Sequence, residues 1–459
     1  MGRQLVWFRD DLRVADNPAL LAAMHAGETV ALFVVAAAQW RAHGIGANRI
    51  AFLLRCLEAL ARDLRALRVP LKIRDVPWFA ETETCVDALM ADVDAHTLHF
   101  NAQYPLDEQR RDRCVIERIE RSGRVVRVHH GQVLAPPGSI VSANATPYVV
   151  FTPFNRRLRE RLSPDELEPT PAPRAQPPCG VAADPVPRTI GSVSAERLAD
   201  LWPGGSAEAE ARLLRFVDER AATYASDRDR PDLDATSRLS AYLAVGAISV
   251  RACFAQSRRA PDAVAWQDEL IWREFYQHVV AVFPHVSRGA AFRREYDGIA
   301  WRDDPEGFAA WRDGRTGYPL VDAGMRQLAA TGWMHNRLRM VTAMFLSKHL
   351  LIDWRAGERH FMDLLVDGEF AANNGGWQWS ASTGTDAAPY FRIFNPVAQA
   401  KKCDPDGTFV RRWIPELAAL EGDALFEPWR SALDVAEYPP RVVEHGFARD
   451  RAIAAFRSV

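Results

Sequence analysis

The chain has 459 residues, of which 48% are hydrophobic and 25% charged, a composition typical of a globular protein and unlike that of a disordered one. At roughly 150 residues per domain, we expect two or three compact units. Lys and Arg number 57 against 59 Asp and Glu, so a nucleic-acid partner would require a local basic stripe. The longest apolar run, Val30–Ala38, is far shorter than the roughly 20 residues of a membrane span.

The cysteines and the N-terminus indicate the compartment. Six cysteines are scattered without a C-x-x-C pair, so we expect neither a metal site nor a disulfide framework. The chain passes directly into a strand-like segment without the pattern of a signal peptide. We therefore expect a cytoplasmic protein.

Strand-like and helix-like segments alternate over the first 130 residues. Asn17 and Pro18 are suited to begin a helix that runs to about Ala26, and Gly27 is placed to end it. Other helical patterns cover Ile50–Leu67, Glu81–Val93 and Leu106–Arg121, between strand patterns at Leu5–Phe8, Val30–Ala38, Leu71–Arg74, Leu98–Asn101 and Val125–His129. This alternation predicts an α/β domain whose parallel sheet is covered on both faces.

The character of the chain changes after a proline-rich segment. Pro164 to Pro187 contains eight prolines in 24 residues, a density that excludes helices and central strands. Helical patterns dominate beyond Arg197, and 11 of the 14 tryptophans follow residue 200. These patterns cover Ala207–Ala222, Val264–Phe283, Tyr318–Ala330 and Asn336–Leu351. We therefore predict an α/β domain at 1-131, a linker at 132-200 and an all-α domain at 201-459.

The first domain lacks the common phosphate-binding fingerprints. Neither G-x-G-x-x-G after a strand nor G-x-x-x-x-G-K-[ST] occurs, which disfavours an NAD dehydrogenase and a P-loop NTPase. His43–Gly46 contains a G-x-G without the third glycine, and we interpret it as a plain loop.

Two segments of the second domain are candidate binding sites. Thr236–Ser240 offers three hydroxyls and a guanidinium at the start of an apolar run, so it is either a phosphate cradle or a well-capped helix with an exposed arginine. Trp266, Glu269 and Trp272 share one helical face. An acid between two indoles is costly to ionise, although tryptophans in a core beside a surface glutamate are the alternative.

Two further segments concentrate polar and aromatic groups. Gly332–Met340 places them at a helix start, where we give His335 no role. Asp367–Trp379 combines neighbouring amides, two glycines and two tryptophans. Such a segment is suited to hold a planar polar ring beside indoles.

These segments resemble the photolyase/cryptochrome flavoproteins, and within them the bacterial class I cyclobutane pyrimidine dimer photolyases. The resemblance covers essentially the whole chain and is carried by Leu5–Arg13, Glu269–Tyr276, Trp333–Met340, Asn373–Trp379, Thr383–Asp386 and Tyr390–Pro396. It implies an N-terminal α/β antenna-binding domain with a nucleotide-binding-like parallel sheet. A long linker would join it to an all-α domain that binds FAD in a bent conformation.

The resemblance also implies the FAD site. Asn373 would face flavin N5, where an amide oxygen stabilises the reduced ring by accepting a hydrogen bond, and Asp367 would pair with Arg339. The diphosphate and ribityl region would contact Tyr224, Thr236, Ser237, Arg238, Leu239 and Ser240. The other positions implied for the cofactor are Trp266, Glu269, Arg273, Trp333, Asn336, Glu369 and Trp377. Glu369 departs from the family, in which close relatives carry Asp.

The implied reaction is light-driven repair of pyrimidine dimers by a deoxyribodipyrimidine photo-lyase, with reduced FAD as electron donor and the dimer flipped out of the DNA. Glu269 would hydrogen-bond the dimer where charge develops. Trp272 and Trp379 would stack on the dimer, and Asn336 and Met340 would complete the pocket. Damaged DNA, single- or double-stranded, would be bound without sequence preference through phosphate contacts from Arg228, Arg337, Arg392 and Lys402.

Two further functions follow from the resemblance. Trp377, Trp354 and Trp301 match the positions of the family's electron-transfer chain, which reduces oxidised flavin. His43, Asp107 and Glu108 match positions near a folate antenna, 5,10-methenyltetrahydrofolate. Asp107 stands where folate-binding relatives have Asn, and Ser287-Arg288 replaces a Cys-Lys pair. A deazaflavin, a second flavin or an empty pocket therefore stay alternatives.

Two other functions remain to be weighed against dimer repair. A cryptochrome-like photoreceptor often carries a long C-terminal extension, whereas only 63 residues follow Pro396 here. A six–four photoproduct photolyase carries a histidine pair around the lesion, whereas this chain has Asn336 and Met340 there. We expect a monomeric repair enzyme.

Overall fold

A computed structural model describes residues 2–261, 263–431 and 437–459. The N-terminal part confirms the predicted α/β architecture. Its parallel sheet has the strand order β3-β2-β1-β4-β5, with β1 Arg3–Phe8, β2 Thr29–Val35, β3 Leu71–Asp75, β4 Ala95–Asn101 and β5 Val125–His129. The connecting helices are α1 Pro18–Ala26, α2 Ala37–Ala42, α3 Ala47–Ala66, α4 Thr82–Asp92 and α5 Leu106–Arg121.

The remainder is mostly helical. It contains α6 Phe151–Arg161, the short antiparallel pair β6 Thr189–Ile190 and β7 Val193–Ser194, α7 Ser206–Glu219, α8 Tyr224–Asp227, α9 Ser240–Ala244, α10 Val250–Ser257, α11 Val264–Val282, α12 Pro305–Arg312, α13 Pro319–Thr331, α14 Asn336–Met344, α15 Trp354–Leu364, α16 Phe370–Ala381, α17 Pro396–Cys403, α18 Thr408–Trp413, α19 Asp423–Phe426 and α20 His445–Arg457. Short 3₁₀ turns lie at Phe79–Glu81, Asp165–Leu167, Pro284–Arg288, Arg294–Gly298, Pro415–Leu417 and Pro428–Arg430, and a π-helical turn lies at Phe345–His349.

Two compact units are formed from interleaved segments. The first contains the described residues up to Ala222, with Ser237–Pro284 and Val366–Ala371, and the second contains Thr223–Thr236, His285–Leu365 and the described residues of Ala372–Val459. The sequence analysis predicted three consecutive ranges, whereas each compact unit is assembled from several segments. The two divisions are not directly comparable, and the predicted domain boundaries stay predictions. Within the described residues, no helix combines the length and apolar character needed to cross a membrane.

The first helix confirms its sequence signals. The side chain of Asn17 accepts a hydrogen bond from the Leu20 amide at 3.2 Å, which satisfies one of the open N–H groups at the helix start. Pro18 occupies the first turn, and the helix ends at Ala26 before Gly27. Local side-chain chemistry therefore determines both ends.

The end of the second strand differs from the prediction. The apolar run was expected to be extended to Ala38, but β2 ends at Val35 and α2 begins at Ala37. All seven residues of β2 are buried. The three alanines that follow the strand carry no polar signal, and an apolar run alone does not separate strand from helix.

The proline-rich linker lies along the edge of the sheet. The side-chain amide of Gln176 accepts from the Thr29 amide at 2.8 Å and donates to the Thr29 carbonyl at 2.9 Å. Asp184 donates its amide to the Leu71 carbonyl at 2.8 Å and accepts from the Ile73 amide at 2.9 Å. Gln176 thus binds the start of β2, and the bonds of Asp184 satisfy backbone groups of the edge strand β3, which would otherwise be open to pairing with another chain.

A close backbone approach fixes the N-terminal motif in the first unit. The Leu12 amide donates to the Val245 carbonyl at 3.1 Å, and Arg13 donates to the Gly246 carbonyl at 2.9 Å. Gly246 has φ +66°, and a Cβ there would lie 2.1 Å from the Asp10 carbonyl oxygen. Only glycine fits this position without movement of the backbone.

We predict that Gly246→Ala lowers the free energy of unfolding by about 2 kcal/mol or more, because strain at positive φ adds to steric overlap. Gly123→Ala is the matched control, since Gly123 has φ +77° with open space around it, and we expect a loss of about 1 kcal/mol there. Denaturant unfolding of both variants measures the difference. Equal losses would contradict the close approach.

Candidate functional site

Side-chain amides of α16 form an ordered network in the second unit. Asn373 Nδ2 donates to the Glu358 carbonyl at 3.0 Å, and Asn374 Nδ2 donates to Glu358 Oε1 at 2.8 Å. Gln378 Nε2 donates to Asn374 Oδ1 at 2.9 Å, while Gln378 Oε1 accepts from the Phe292 amide at 2.7 Å. Because the Asn373 amide nitrogen is used, its oxygen is the atom available to accept a hydrogen bond from a ligand.

Glu358 is a functional candidate that the sequence analysis missed. Burial raises the pKa of its carboxyl group to about 7, against the opposing effect of the hydrogen bond from Asn374. Trp354 and Phe361 lie four residues before and three after it on α15, and both are buried. The sequence signal that could have indicated Glu358 is an acid spaced four and three residues from two aromatic residues of one helix.

The three tryptophans of the expected electron-transfer chain lie within one hydrophobic core of the second unit. Trp377 and Trp354 are fully buried, and Trp301 packs against the same cluster. The Trp377 ring meets those of Phe361 and Trp311 edge-to-face, at centroid distances of 4.9 and 6.0 Å.

A glycine opposite Trp377 permits this packing. A Cβ at Gly357 would lie 2.1 Å from Trp377 Cη2. The indole therefore crosses α15 at a position without a side chain. Packing of this density holds the ring in one orientation.

Helix α11 carries the predicted acid–indole face in the first unit. Trp266 is buried against Phe216 at 4.8 Å, and the Trp272 ring lies parallel to that of Phe151 at 3.8 Å. Glu269 lies half-buried on the same helix. Phe151 was not anticipated, and it covers one face of Trp272, so only the other face is left to a ligand.

The residues after this face attach α11 to the linker. Arg273 donates to the Gln132 carbonyl at 2.8 Å and to Glu369 Oε1 at 2.6 Å. The fully buried carboxylate of Glu274 accepts from the amides of Leu134 and Ala135 at 2.9–3.0 Å. The longer acid at position 369 thus acts through its side chain, as a partner of Arg273.

The segment expected to hold phosphates is less helical than its sequence suggests. Thr236 belongs to the second unit and Ser237–Ser240 to the first. Arg238 has φ +50°, and α9 has only five residues because the chain turns at Gly246. Tyr224, at the start of the four-residue helix α8, is buried.

The start of α14 presents the other predicted residues of the second unit. The helix begins at Asn336, which is exposed, and Met340 and Arg339 are half-buried. Trp333 precedes the helix and therefore shares no helical face with Asn336 and Met340. His335 caps the helix, since its Nδ1 accepts from the Arg337 amide at 3.2 Å.

The four predicted phosphate contacts differ in their surroundings. Arg392 and Lys402 are exposed, and Arg228 is half-buried. Arg337 forms a two-point ion pair with Asp229, in which Nε lies 3.1 Å from Oδ1. This pair leaves one amino group of Arg337 for a phosphate.

The proposed antenna residues come together in the first unit. The His43 ring nitrogens lie 3.3 Å from Asp107 Oδ2 and 3.4 Å from Glu108 Oε1. Although burial acts in the opposite direction, the hydrogen bonds and charges of Glu108 and Asp107 raise the pKa of His43. The three side chains therefore form a charged cluster with open hydrogen-bonding capacity at Asp107, which is half exposed.

A cavity of about 610 Å³, its open mouth included, adjoins this cluster. It opens beyond the carboxyl ends of β1 and β2, where open parallel sheets commonly bind ligands. Its lining includes Trp7, Arg9, Trp40, Phe79, Glu108 and Arg111. An aromatic lining of this kind suits a flat ring system.

Comparison with known proteins identifies the family. Residues 4–175 match the family model described as DNA photolyase, and residues 266–458 match that of the FAD binding domain of DNA photolyase. The chain belongs to the DNA photolyase family. It is 42% identical to the deoxyribodipyrimidine photo-lyase of Salmonella typhimurium, over 100% of this chain and 99% of that protein.

Solved structures of photolyases have the same fold. A class III photolyase from Agrobacterium tumefaciens is 35% identical with a TM-score of 0.91, over 100% of this chain and 98% of that one. An archaeal photolyase from Sulfolobus tokodaii with two FAD molecules is 29% identical with a TM-score of 0.84, over 99% and 100%. The expected combination of an α/β domain with a helical FAD-binding domain is therefore confirmed.

The raised pKa of Glu358 generates a prediction about stability. A carboxyl group whose pKa is higher in the folded than in the unfolded protein stabilises the fold below its unfolded pKa, and this contribution is lost as the pH rises through its folded pKa. Relative to Glu358→Gln, we expect the free energy of unfolding of the wild type to fall between pH 4.5 and about 7 and then to level off.

Denaturant unfolding across this pH range provides the measurement, and the visible flavin spectrum checks that the cofactor stays bound. Glu306→Gln, at an exposed position of α12, should show no such difference. Parallel pH profiles for the wild type and Glu358→Gln would contradict the assignment.

Proposed function

We propose that this photolyase splits cyclobutane pyrimidine dimers in ultraviolet-damaged DNA, using light and bound FAD. The observation that carries the proposal is the fixed amide of Asn373, whose oxygen is oriented as an acceptor by the bond from its nitrogen to Glu358. An acceptor of this kind fits the N–H group of a reduced flavin ring. Excited reduced FAD, when bound, supplies the electron that opens the dimer.

The remaining cofactor residues support this proposal through their chemistry. In the first unit, Ser237 and Ser240 offer hydroxyls, and Arg238 a guanidinium, to the diphosphate. Trp266 and Arg273 belong to the same unit, and its Asp367 is a buried carboxyl group. In the second unit, Tyr224, Trp333 and Arg339 provide apolar surface and one cation for the rings and ribityl chain.

The substrate residues act by contact and by exclusion of water. We assign Glu269 to a hydrogen bond with the pyrimidine edge, where negative charge develops. Trp272, through its uncovered face, and Trp379 pack on the flat rings of the dimer, while Asn336 and Met340 complete the wall. Phosphates are bound by Arg228, Arg337, Arg392 and Lys402, so affinity falls with salt.

Activation of oxidised cofactor is assigned to Trp377, Trp354 and Trp301. Trp377 and Trp354 belong to one packed core, and Trp301 packs against it. The three indole N–H groups are buried without a hydrogen-bond partner among the described residues. An indole without a proton acceptor retains its N–H proton when it loses an electron. Such a residue returns to its resting state by regaining the electron alone.

The protein is further proposed to act as a monomer in the cytoplasm. All six cysteines are unpaired, and burial raises the pKa of the Cys56 and Cys253 thiols to about 12. Such thiols are unreactive, and unpaired cysteines are typical of a reducing compartment. Size-exclusion chromatography with light scattering tests the monomer.

Repair is tested with reduced, illuminated protein and an oligonucleotide that contains one pyrimidine dimer. We expect thymine absorbance to return in light and not in darkness. Glu269→Gln should retain the visible flavin spectrum but lower the quantum yield of repair at least about twofold, because a polar contact to developing charge is lost.

Asp268→Asn is the control, since Asp268 on the same helix pairs with Arg159 and Asn155 instead. Unchanged repair by Glu269→Gln would remove the role of that acid. A six–four photoproduct assayed in parallel should not be repaired. A light-reducible flavoprotein without lesion-specific binding would indicate a photoreceptor of the cryptochrome type.

We propose 5,10-methenyltetrahydrofolate as the antenna, bound through His43, Asp107 and Glu108. The support is the carboxylate pair that flanks the imidazole at 3.3 and 3.4 Å, because carboxylates pair well with the adjacent N–H donors of a pterin ring. The neighbouring aromatic cavity favours a second candidate, a deazaflavin or a second flavin.

We predict that Glu108→Gln and His43→Ala lose the near-ultraviolet band of bound folate and keep the flavin spectrum. Glu117→Gln is the control, since Glu117 is exposed on the same helix and pairs with Arg121. Chromatography of the chromophores released on denaturation identifies them. Loss of the antenna in Trp40→Ala but not in Glu108→Gln would favour the cavity ligand instead.

A further inference from the structure

Lys348 carries a buried amine that neither the flavin nor the dimer assignments use. It lies in the π-helical turn Phe345–His349 that follows α14, and its side chain is fully buried. Burial lowers the pKa of its amine to about 7. No carboxylate of the described residues forms an ion pair with it; its partners are two neutral oxygen atoms and the Phe456 ring, whose centroid lies 6.0 Å from Nζ.

The two contacts of Lys348 close one loop at its base. Nζ donates to Ser382 Oγ at 2.7 Å and to the Arg392 carbonyl at 3.1 Å. These acceptors stand at the two ends of residues 382–392, which we name the 382–392 loop. The loop is irregular, since Ser382 has φ +65° and Asp386 φ +44°.

Few other bonds fix the far end of this loop. The Arg392 amide donates to the Pro389 carbonyl at 2.8 Å, within the loop itself. Tyr390 stacks parallel to Phe456 at 6.2 Å. The carbonyl of Arg392 is the backbone group bound by Lys348, so the peptide orientation at Arg392 depends on this amine. The Arg392 side chain itself is exposed to solvent.

We propose that Lys348 is a positioning residue for DNA binding, which holds the base of the 382–392 loop so that Arg392 meets a phosphate of the lesion strand. The proposal rests on the phosphate contact assigned to Arg392 above. Lys348 is inaccessible to solvent and so touches no phosphate itself. Its effect on DNA must therefore pass through the loop.

The positioning role and a purely structural role of Lys348 predict different properties of the Lys348→Met variant. Lys348→Met removes the cost of burying an amine and, at the same time, the hydrogen bonds to Ser382 Oγ and the Arg392 carbonyl, and these two effects on stability oppose each other. Lys348→Met should therefore fold, retain FAD and unfold at about the wild-type denaturant concentration. Its defect should appear in DNA binding only.

The test compares Lys348→Met, Arg392→Gln and the double variant. Binding to a fluorescent oligonucleotide with one pyrimidine dimer is measured in darkness at several salt concentrations. We expect each single variant to bind roughly three- to tenfold more weakly. We also expect each to lower the slope of log K against log salt by about 0.9, the value for one phosphate contact. The double variant should be no weaker than Arg392→Gln alone.

Controls separate this proposal from the function on which it rests. Lys72→Met removes the same charge in the first unit, where Arg74 still pairs with Asp184, and should bind DNA normally. Repair should also be unchanged in Lys72→Met. Absence of lesion binding by the wild type would refute the proposed function itself.

Other outcomes overturn the role of Lys348 alone. These are normal binding by Lys348→Met beside a weakened Arg392→Gln, additive losses in the double variant, or an unchanged salt slope. Loss of FAD or of stability in Lys348→Met, in proportion to the loss of binding, would show a structural role instead. Wild-type binding by Arg392→Gln would remove both the phosphate assignment and the positioning role.

Discussion

The hydrogen bonds that Glu358 accepts are the interactions on which the candidate flavin site depends. Asn374 donates to its carboxylate and Gln378 donates to Asn374, while Asn373 donates to its backbone carbonyl. A side-chain amide can be rotated by half a turn at little steric cost, which would exchange donor and acceptor. The network removes this freedom at Asn373, because its nitrogen has an acceptor only in one orientation. The chemistry presented by α16 is thus determined by α15.

The α/β architecture could be predicted because its signals are local. Buried strands of a parallel sheet are apolar along their whole length, and the helix that begins at Pro18 carries both of its end signals. The sequence was less informative where a contact between distant segments determines the local structure. The sequence did not indicate how short the helix after Leu239 is: α9 ends after five residues, shortly before Gly246, which lies against Asp10.

The residues of the candidate site could be predicted from the sequence, but their contact partners could not. The sequence motifs indicated Glu269, Trp272 and Asn373 through a family resemblance. They did not reveal that Phe151 covers one face of Trp272 or that Asp229 already pairs with Arg337. Both partners come from distant positions in the sequence, and no spacing rule joins them. Lys348 was overlooked because a single lysine among apolar residues carries no pattern of its own.

Many arginines of this chain serve as internal hydrogen-bond donors. Of its 57 basic residues only four are lysine, and many of the guanidinium groups bind backbone carbonyls. Arg13 donates to the carbonyls of Asp16, Gly131 and Gly246, and Arg55 to those of Ala195, Arg197 and Trp202. A guanidinium suits this task because its five donors form a fixed fork. Cations used in this way hold loops and linkers in place and are withdrawn from solvent. Affinity for DNA therefore depends on where the exposed basic groups lie, and on the buried side chains that fix the loops carrying them.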